Sequence, residues 1–163
     1  MNKQMWAELI RPGSFQSKYE RVLSVMLDEL PVDALCIMRL EEECLVPVCA
    51  LGLSKDALGR RFDLLHQPRL QAIMATGVPV HFAHDAHLRD PFDGLIPNHN
   101  GKLDVHDCMG VRVDLHGKPW GLITLDALQA GSFPISIESE VGQWVDVVGS
   151  IIEQNALFKK SPT

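Results

Sequence analysis

Residues 108–127, CMGVRVDLHGKPWGLITLDA, constrain the fold more than any other stretch. Two alternating runs flank His116-Gly117-Lys118, the pattern of a β-hairpin. With those three residues as the loop, one face carries Met109 opposite Leu125, Val111 opposite Ile123, Val113 opposite Gly121 and Leu115 opposite Pro119. The other face carries Cys108 opposite Asp126, Gly110 opposite Thr124, Arg112 opposite Leu122 and Asp114 opposite Trp120. A shift of one residue would set Met109 against Asp126 and scatter the apolar side chains, because side chains alternate strictly along a strand. The favoured register therefore places a thiol and a carboxylate side by side, with Cβ atoms about 5 Å apart.

The residues leading into this hairpin add to the same face. In LDVHDCMGV, Asp104, His106 and Cys108 alternate. In an extended chain they point the same way. His106, Cys108 and Asp126 are thus expected as neighbours, each a potential metal ligand. The plainer reading makes Asp126 a turn-forming residue, His106 a surface group and Cys108 a buried thiol.

The rest of the chain supplies helices and further strands. KYERVLSVMLDELP aligns Tyr19, Val22, Leu23, Met26, Leu27 and Leu30 on one helical stripe that Pro31 ends. DALCIMRLE and CLVPVCALGL read as strands joined by an acidic turn at Glu41 to Glu43. QPRLQAIMATG reads as a short helix with Pro68 in its first turn and Gly77 as its stop. VPVHFA is another short strand, followed by an irregular segment from about 83 to 105. A loop that long in a compact domain is usually functional or disordered. SIESEVGQWVDVVGSIIEQNALF predicts a long helix with Ser136 as N-cap, Glu138 and Glu140 in its first turn, and a stripe from Ile137 through Ile152. Hairpins outnumber possible parallel crossovers, so the fold class is α+β with an antiparallel sheet. One domain is expected over 1–163: N-terminal helices at about 2–30, sheet and pocket loop at about 33–128, and the C-terminal helix at about 136–158.

Charge and composition exclude several functions. The net charge is −6, and no Lys/Arg run offers the basic footprint that direct nucleic-acid binding needs. No apolar run is long enough for a membrane span, and MNKQMWAELIRPGSF lacks the features of a secretory signal. Cys36, Cys44, Cys49 and Cys108 have neither zinc-ribbon nor CxxC spacing, which fits reduced thiols in the cytoplasm. Cys36 and Cys49 sit in apolar runs as core residues. A second candidate cluster is His81, His84 and His87 in HFAHDAH. Three such imidazoles could hold zinc on a helix, but Val78 to Phe82 reads as strand. His66, His99 and His116 read as loop or turn residues.

ATGVPVHFAHD followed by MGVRVDLHGKPWGLITLD resembles the GAF domain pattern. LGRRFDLLHQPRLQAIM, DPFDGLIP, VHDCMGV and LITLDAL together resemble the N-terminal sensor of the NorR family of nitric-oxide-responsive bacterial transcription regulators, over roughly residues 16 to 158. The resemblance implies a GAF domain holding one non-haem ferrous iron. The implied metal residues are Asp93, His106, Cys108 and Asp126, with Arg69 as a fifth member. It further implies a cytoplasmic, non-enzymatic domain that binds nitric oxide and controls an AAA+ ATPase domain of the same or a partner chain, with a homodimer as a possible assembly. The AAA+ and helix-turn-helix domains of such regulators lie outside this sequence. Two departures stand out: the segment between Asp93 and His106 is about one residue longer than the pattern, and Asp107 stands where the family has a small residue.

Carboxylate, imidazole and thiolate form a mixed set compatible with Fe(II). A guanidinium has no lone pair to donate. Arg69 is therefore expected to pair with Asp93 or Asp126, or more boldly to occupy a position from which nitric oxide displaces it. Protein isolated in air would hold zinc or no metal at the same residues. Two other functions remain open. One is a free methionine sulfoxide reductase using Cys108 activated by His106. The other is a metal-free GAF domain that binds a small molecule.

Overall fold

The computed structural model describes residue 7, residues 9–97 and residues 106–160. Asp104 and His99 lie outside the described residues, as does the end of the 83–105 segment. The helices are α1 (Phe15–Glu29), α2 (Pro68–Met74) and α3 (Ile137–Lys160). The strands are β1 (Ala34–Glu41), β2 (Cys44–Leu51), β3 (Phe62–Asp63), β4 (Val80–Phe82), β5 (Asp107–Leu115) and β6 (Lys118–Ala127). They form one sheet in the order β3-β2-β1-β6-β5-β4, with every neighbouring pair antiparallel.

Helices α1 and α3 cover one face. Ser14 caps α1, its Oγ accepting from Ser17 N at 3.1 Å. The apolar stripe of α1 buries Tyr19, Val22, Leu23 and Met26. These pack with Ile37, Met109, Val111, Ile123 and Leu125 from the strands and with Val141, Trp144, Val148 and Ile152 from α3.

The opposite face is covered by α2 and the 83–97 segment. Its core holds Met38, Leu70, Ile73, Phe92, Leu95, Cys108 and Leu122. Gly110 lets α2 approach this closely: a Cβ there would overlap the Ile73 side chain. Phe92 and Leu95 anchor the segment in the core; Phe92 meets Phe62 edge-on, with centroids 5.7 Å apart.

The β5–β6 pairing follows the expected register from Cys108↔Asp126 through Val113↔Gly121. It then departs: Asp114 pairs with Pro119 and Leu115 with Lys118, across a bulge that leaves out Trp120. The loop is two residues, not three. His116 and Gly117 both take positive φ (51° and 72°), as a type I′ turn requires, and this turn matches the twist of the strands. The bulge restores the register that the shorter loop would have shifted. Short elements between β2 and α2 were not expected from the sequence: 3-10 turns at Lys55–Gly59 and Leu64–His66, and the two-residue β3.

Candidate metal centre

The hairpin register brings Cys108 and Asp126 together as adjacent residues on the α2 face. The third member of the cluster is Asp90. Ligand atoms of Asp90, Cys108 and Asp126 all lie within 4.8 Å of one another, and all three side chains are buried. Among the described residues this is the one such group of His, Cys and carboxylate side chains.

Asp90 is the hub. Its Oδ2 accepts from Arg69 Nη1 at 2.9 Å and lies 2.7 Å from His106 Nε2. Its Oδ1 accepts from the backbone N–H of Phe92 at 2.7 Å, an Asx turn that aims the carboxylate inward. Arg69 is fixed in turn: its Nε donates to Leu88 O at 2.7 Å, and its guanidinium lies over the Phe82 ring. Arg69 thus pairs with Asp90, not with the expected Asp93 or Asp126.

Asp126 has no such support. Both its oxygens are buried without a hydrogen bond of ordinary geometry. The neighbouring Cys108 thiol is too weak a donor to replace one. Burial pushes the Asp126 carboxyl well above the usual carboxylate range, and the charge of Asp90 adds to the shift. Burial likewise pushes the Cys108 thiol up, reinforced by Asp126 and Asp90 and opposed by Arg69. Nδ1 of His106 is also buried without a partner. Unpaired acidic and imidazole groups are costly in an apolar core. A divalent cation removes that cost by drawing the protons off the ligands, so the donor set fits one.

Of the residues expected at the site, His106, Cys108 and Asp126 converge, with His106 reaching the group through Asp90. Asp93 does not join the three-residue cluster. It is half-buried, with Oδ1 unpartnered, and lines an adjoining cleft of about 480 Å³ together with Arg69, His84, Leu88, Asp90 and His106. The sequence reading missed Asp90. The available signal was the Asp-Pro-Phe order: an Asp before proline favours an Asx turn, and a phenylalanine in a polar loop marks where it dips into the core. His81 and His84 form no metal cluster of their own; both lie beside Asp107 instead.

Solved structures with this fold are GAF domains. The GAF domain of a phosphoenolpyruvate-protein phosphotransferase from Coxiella burnetii superposes with a TM-score of 0.75 at 18% identity, covering 96% of this chain and 94% of that one. A type II free methionine-R-sulfoxide reductase from Thermoplasma acidophilum superposes at 0.67 with 15% identity, covering 86% and 93% of the two chains. The molecule is a GAF domain. No protein-family model matches the chain. By sequence it is 39% identical over 158 residues to the nitric oxide reductase transcription regulator NorR1 of Cupriavidus necator, covering 96% of this chain and 31% of the relative. It is 39% identical over 118 residues to the anaerobic nitric oxide reductase transcription regulator NorR of Vibrio vulnificus, covering 72% of this chain and 23% of the relative. The chain is a GAF domain of the NorR type, and it spans about a third or less of the length of these curated relatives.

Proposed function

We infer that this chain is the nitric-oxide-sensing domain of a cytoplasmic transcription regulator and holds one non-haem ferrous ion. The observation that carries this reading is the Asp126 carboxylate, buried with both oxygens unpartnered beside Cys108 and Asp90 in a NorR-type domain. Cys108, Asp126 and His106 would hold the ion, with the remaining carboxylate from Asp90 or Asp93. Bound there, Fe(II) supplies an open position for a diatomic gas.

The chain's own residues do the rest. Arg69 neutralises and orients Asp90. The adjoining cleft reaches Arg69, Asp90 and His106, the side from which a small neutral ligand would approach. Phe92 and Leu95 keep water from the apolar side. The state of the site passes to an AAA+ ATPase domain through α3, which packs on β5 from the opposite face.

The role is regulatory, not catalytic. A methionine sulfoxide reductase needs a reactive thiolate, whereas burial pushes the Cys108 thiol up.

The test is anaerobic reconstitution with Fe(II), treatment with nitric oxide, and electron paramagnetic resonance. A high-spin signal at one iron per chain, lost in Cys108→Ala and in Asp126→Ala, is the expected result. No iron uptake by the intact chain, or an unchanged signal in both variants, would defeat the reading.

A further inference from the structure

β5 has a buried carboxylate that the candidate metal centre does not use. Asp107 lies between His106 and Cys108, and strand alternation turns it to the α1/α3 face. It is 1% exposed, yet both oxygens are satisfied by backbone from two separate segments. Oδ1 accepts from the His84 N–H at 2.9 Å, where the chain leaves β4 for the segment that carries Asp90. Oδ2 accepts from the Gly131 N–H at 2.7 Å, in the connection from β6 to α3. His81 Nε2 and His84 Nδ1 each lie 4.0 Å from this carboxylate. The His81 ring packs on Phe133, in the same connection to α3, with centroids 5.2 Å apart.

We propose that Asp107 is the positioning residue that couples the candidate metal centre to the start of α3. The proposal rests on the functional reading above. Its physical basis is that one side chain ties together three segments: its own ligand-bearing strand, the root of the pocket segment, and the lead into α3. A shift of β5 or of the 83–97 segment on ligand binding must move the carboxylate, stretch a hydrogen bond, or drag Gly131 along. Hydrogen bonds to a charged acceptor are stronger than neutral ones, so dragging wins over stretching. His106 and Cys108 on one side of the strand thereby act on the other side through a single peptide step.

Asp107→Asn tests this with little change of shape. A carboxamide has one acceptor oxygen, so it can keep only one of the two backbone bonds. Amide hydrogen exchange at His84 and at Gly131 through Ile137 is measured with and without Fe(II) and nitric oxide, alongside the paramagnetic signal. In the unaltered chain, loading is expected to change exchange at both segments by about tenfold or more. In Asp107→Asn the signal and iron stoichiometry persist while the change near Gly131 is lost. A change near Gly131 of undiminished size in Asp107→Asn overturns the proposal, as does an unaltered chain whose exchange there ignores loading.

If the unaltered chain takes up no iron, the iron reading fails but the coupling is still judged. Cys108→Ala must then alter exchange at Gly131, and must not do so in the Asp107→Asn background. If Asp107→Asn does not fold, the unaltered chain and Cys108→Ala decide. One carboxylate holding both amides makes protection at His84 and Gly131 shift together; independent shifts overturn the coupling.

Discussion

The sheet buries two faces, and they are packed differently. Under α1 and α3 the interior is Leu23, Met26, Ile37, Ile123, Val141 and Trp144, and the carboxylate buried there, Asp107, has a partner for each oxygen. Under α2 and the 83–97 segment, the apolar side chains surround Arg69, Asp90, His106, Thr124 and Asp126, and among the described residues Ser54, Asp93, His106, Thr124 and Asp126 have unpartnered polar atoms on that side, against Arg21 Nε alone on α1. The covers differ too. α1 has 15 residues and α3 has 24, whereas α2 has seven and is followed by irregular chain. The first face spends its interior on stability. The second holds a cluster of buried polar groups with unpartnered atoms, at a cost in stability, and covers it with a shorter helix and irregular chain.

The independence of the two faces is tested most directly under α1. Leu23 is fully buried between α1 and the sheet. Leu23→Ala should cost about 3–5 kcal/mol of unfolding free energy, the lost transfer term plus a cavity. Denaturant titration measures it. Metal uptake by the fraction that remains folded should be unchanged, because no atom of the cluster rests on Leu23. A comparable loss of metal affinity per folded molecule would show that the two faces are not independent.

The next largest effect comes from the other side. Gly110→Val forces a branched side chain into the space that Ile73 fills. Overpacking of this kind costs about 1–3 kcal/mol. Here the displaced element is α2, which carries Arg69, so the change should also weaken metal binding, read by competitive titration with a chromophoric chelator. If Gly110→Val loses stability but binds metal normally, α2 does not position the site.

How much of this was legible beforehand follows from the range of the forces involved. The Cys108–Asp126 adjacency came from alternation and burial, two local rules that a hairpin obeys strictly. The bulge at Trp120 did not, because a two-residue I′ turn plus a bulge and a three-residue loop give the same pairs from Val113 back to Asp107. The turn signal was present in His116-Gly117, since glycine readily supplies a positive φ. The resemblance puts the second carboxylate at Asp93, whereas Asp90 is the one that clusters with Cys108 and Asp126. No periodicity governs that segment. Its path is set by Phe92 and Leu95 dropping into the core and by the bonds of Asp90 to Arg69 and His106, contacts between residues far apart in sequence. The role of Asp107 was equally hidden: its partners are backbone N–H groups of His84 and Gly131, and a backbone donor leaves no mark in sequence.

The smallest expected effect is the sharpest, because its sign changes. Asp126→Asn keeps the shape and the unpartnered polar atoms but removes the ionisable group. The folded carboxyl of Asp126 is held above its ordinary range by burial and by Asp90. The folded state therefore keeps its proton at pH values where the unfolded chain has lost it. That contribution to stability is fully present below about pH 4, the unfolded carboxyl range, and declines as pH rises toward the folded value. Without metal, Asp126→Asn should match the unaltered chain at pH 4 and exceed it by about 1–2 kcal/mol at neutral pH, near the lower end of what an unsatisfied buried charged group costs. Denaturant melts across that pH range check it. With Fe(II) in excess under anaerobic conditions the order should reverse, since a ligand that binds only the folded state adds stability in proportion to the logarithm of its saturation. A variant that stays ahead in the presence of metal would mean that Asp126 is an ordinary buried acid, and that the polar face is merely tolerated.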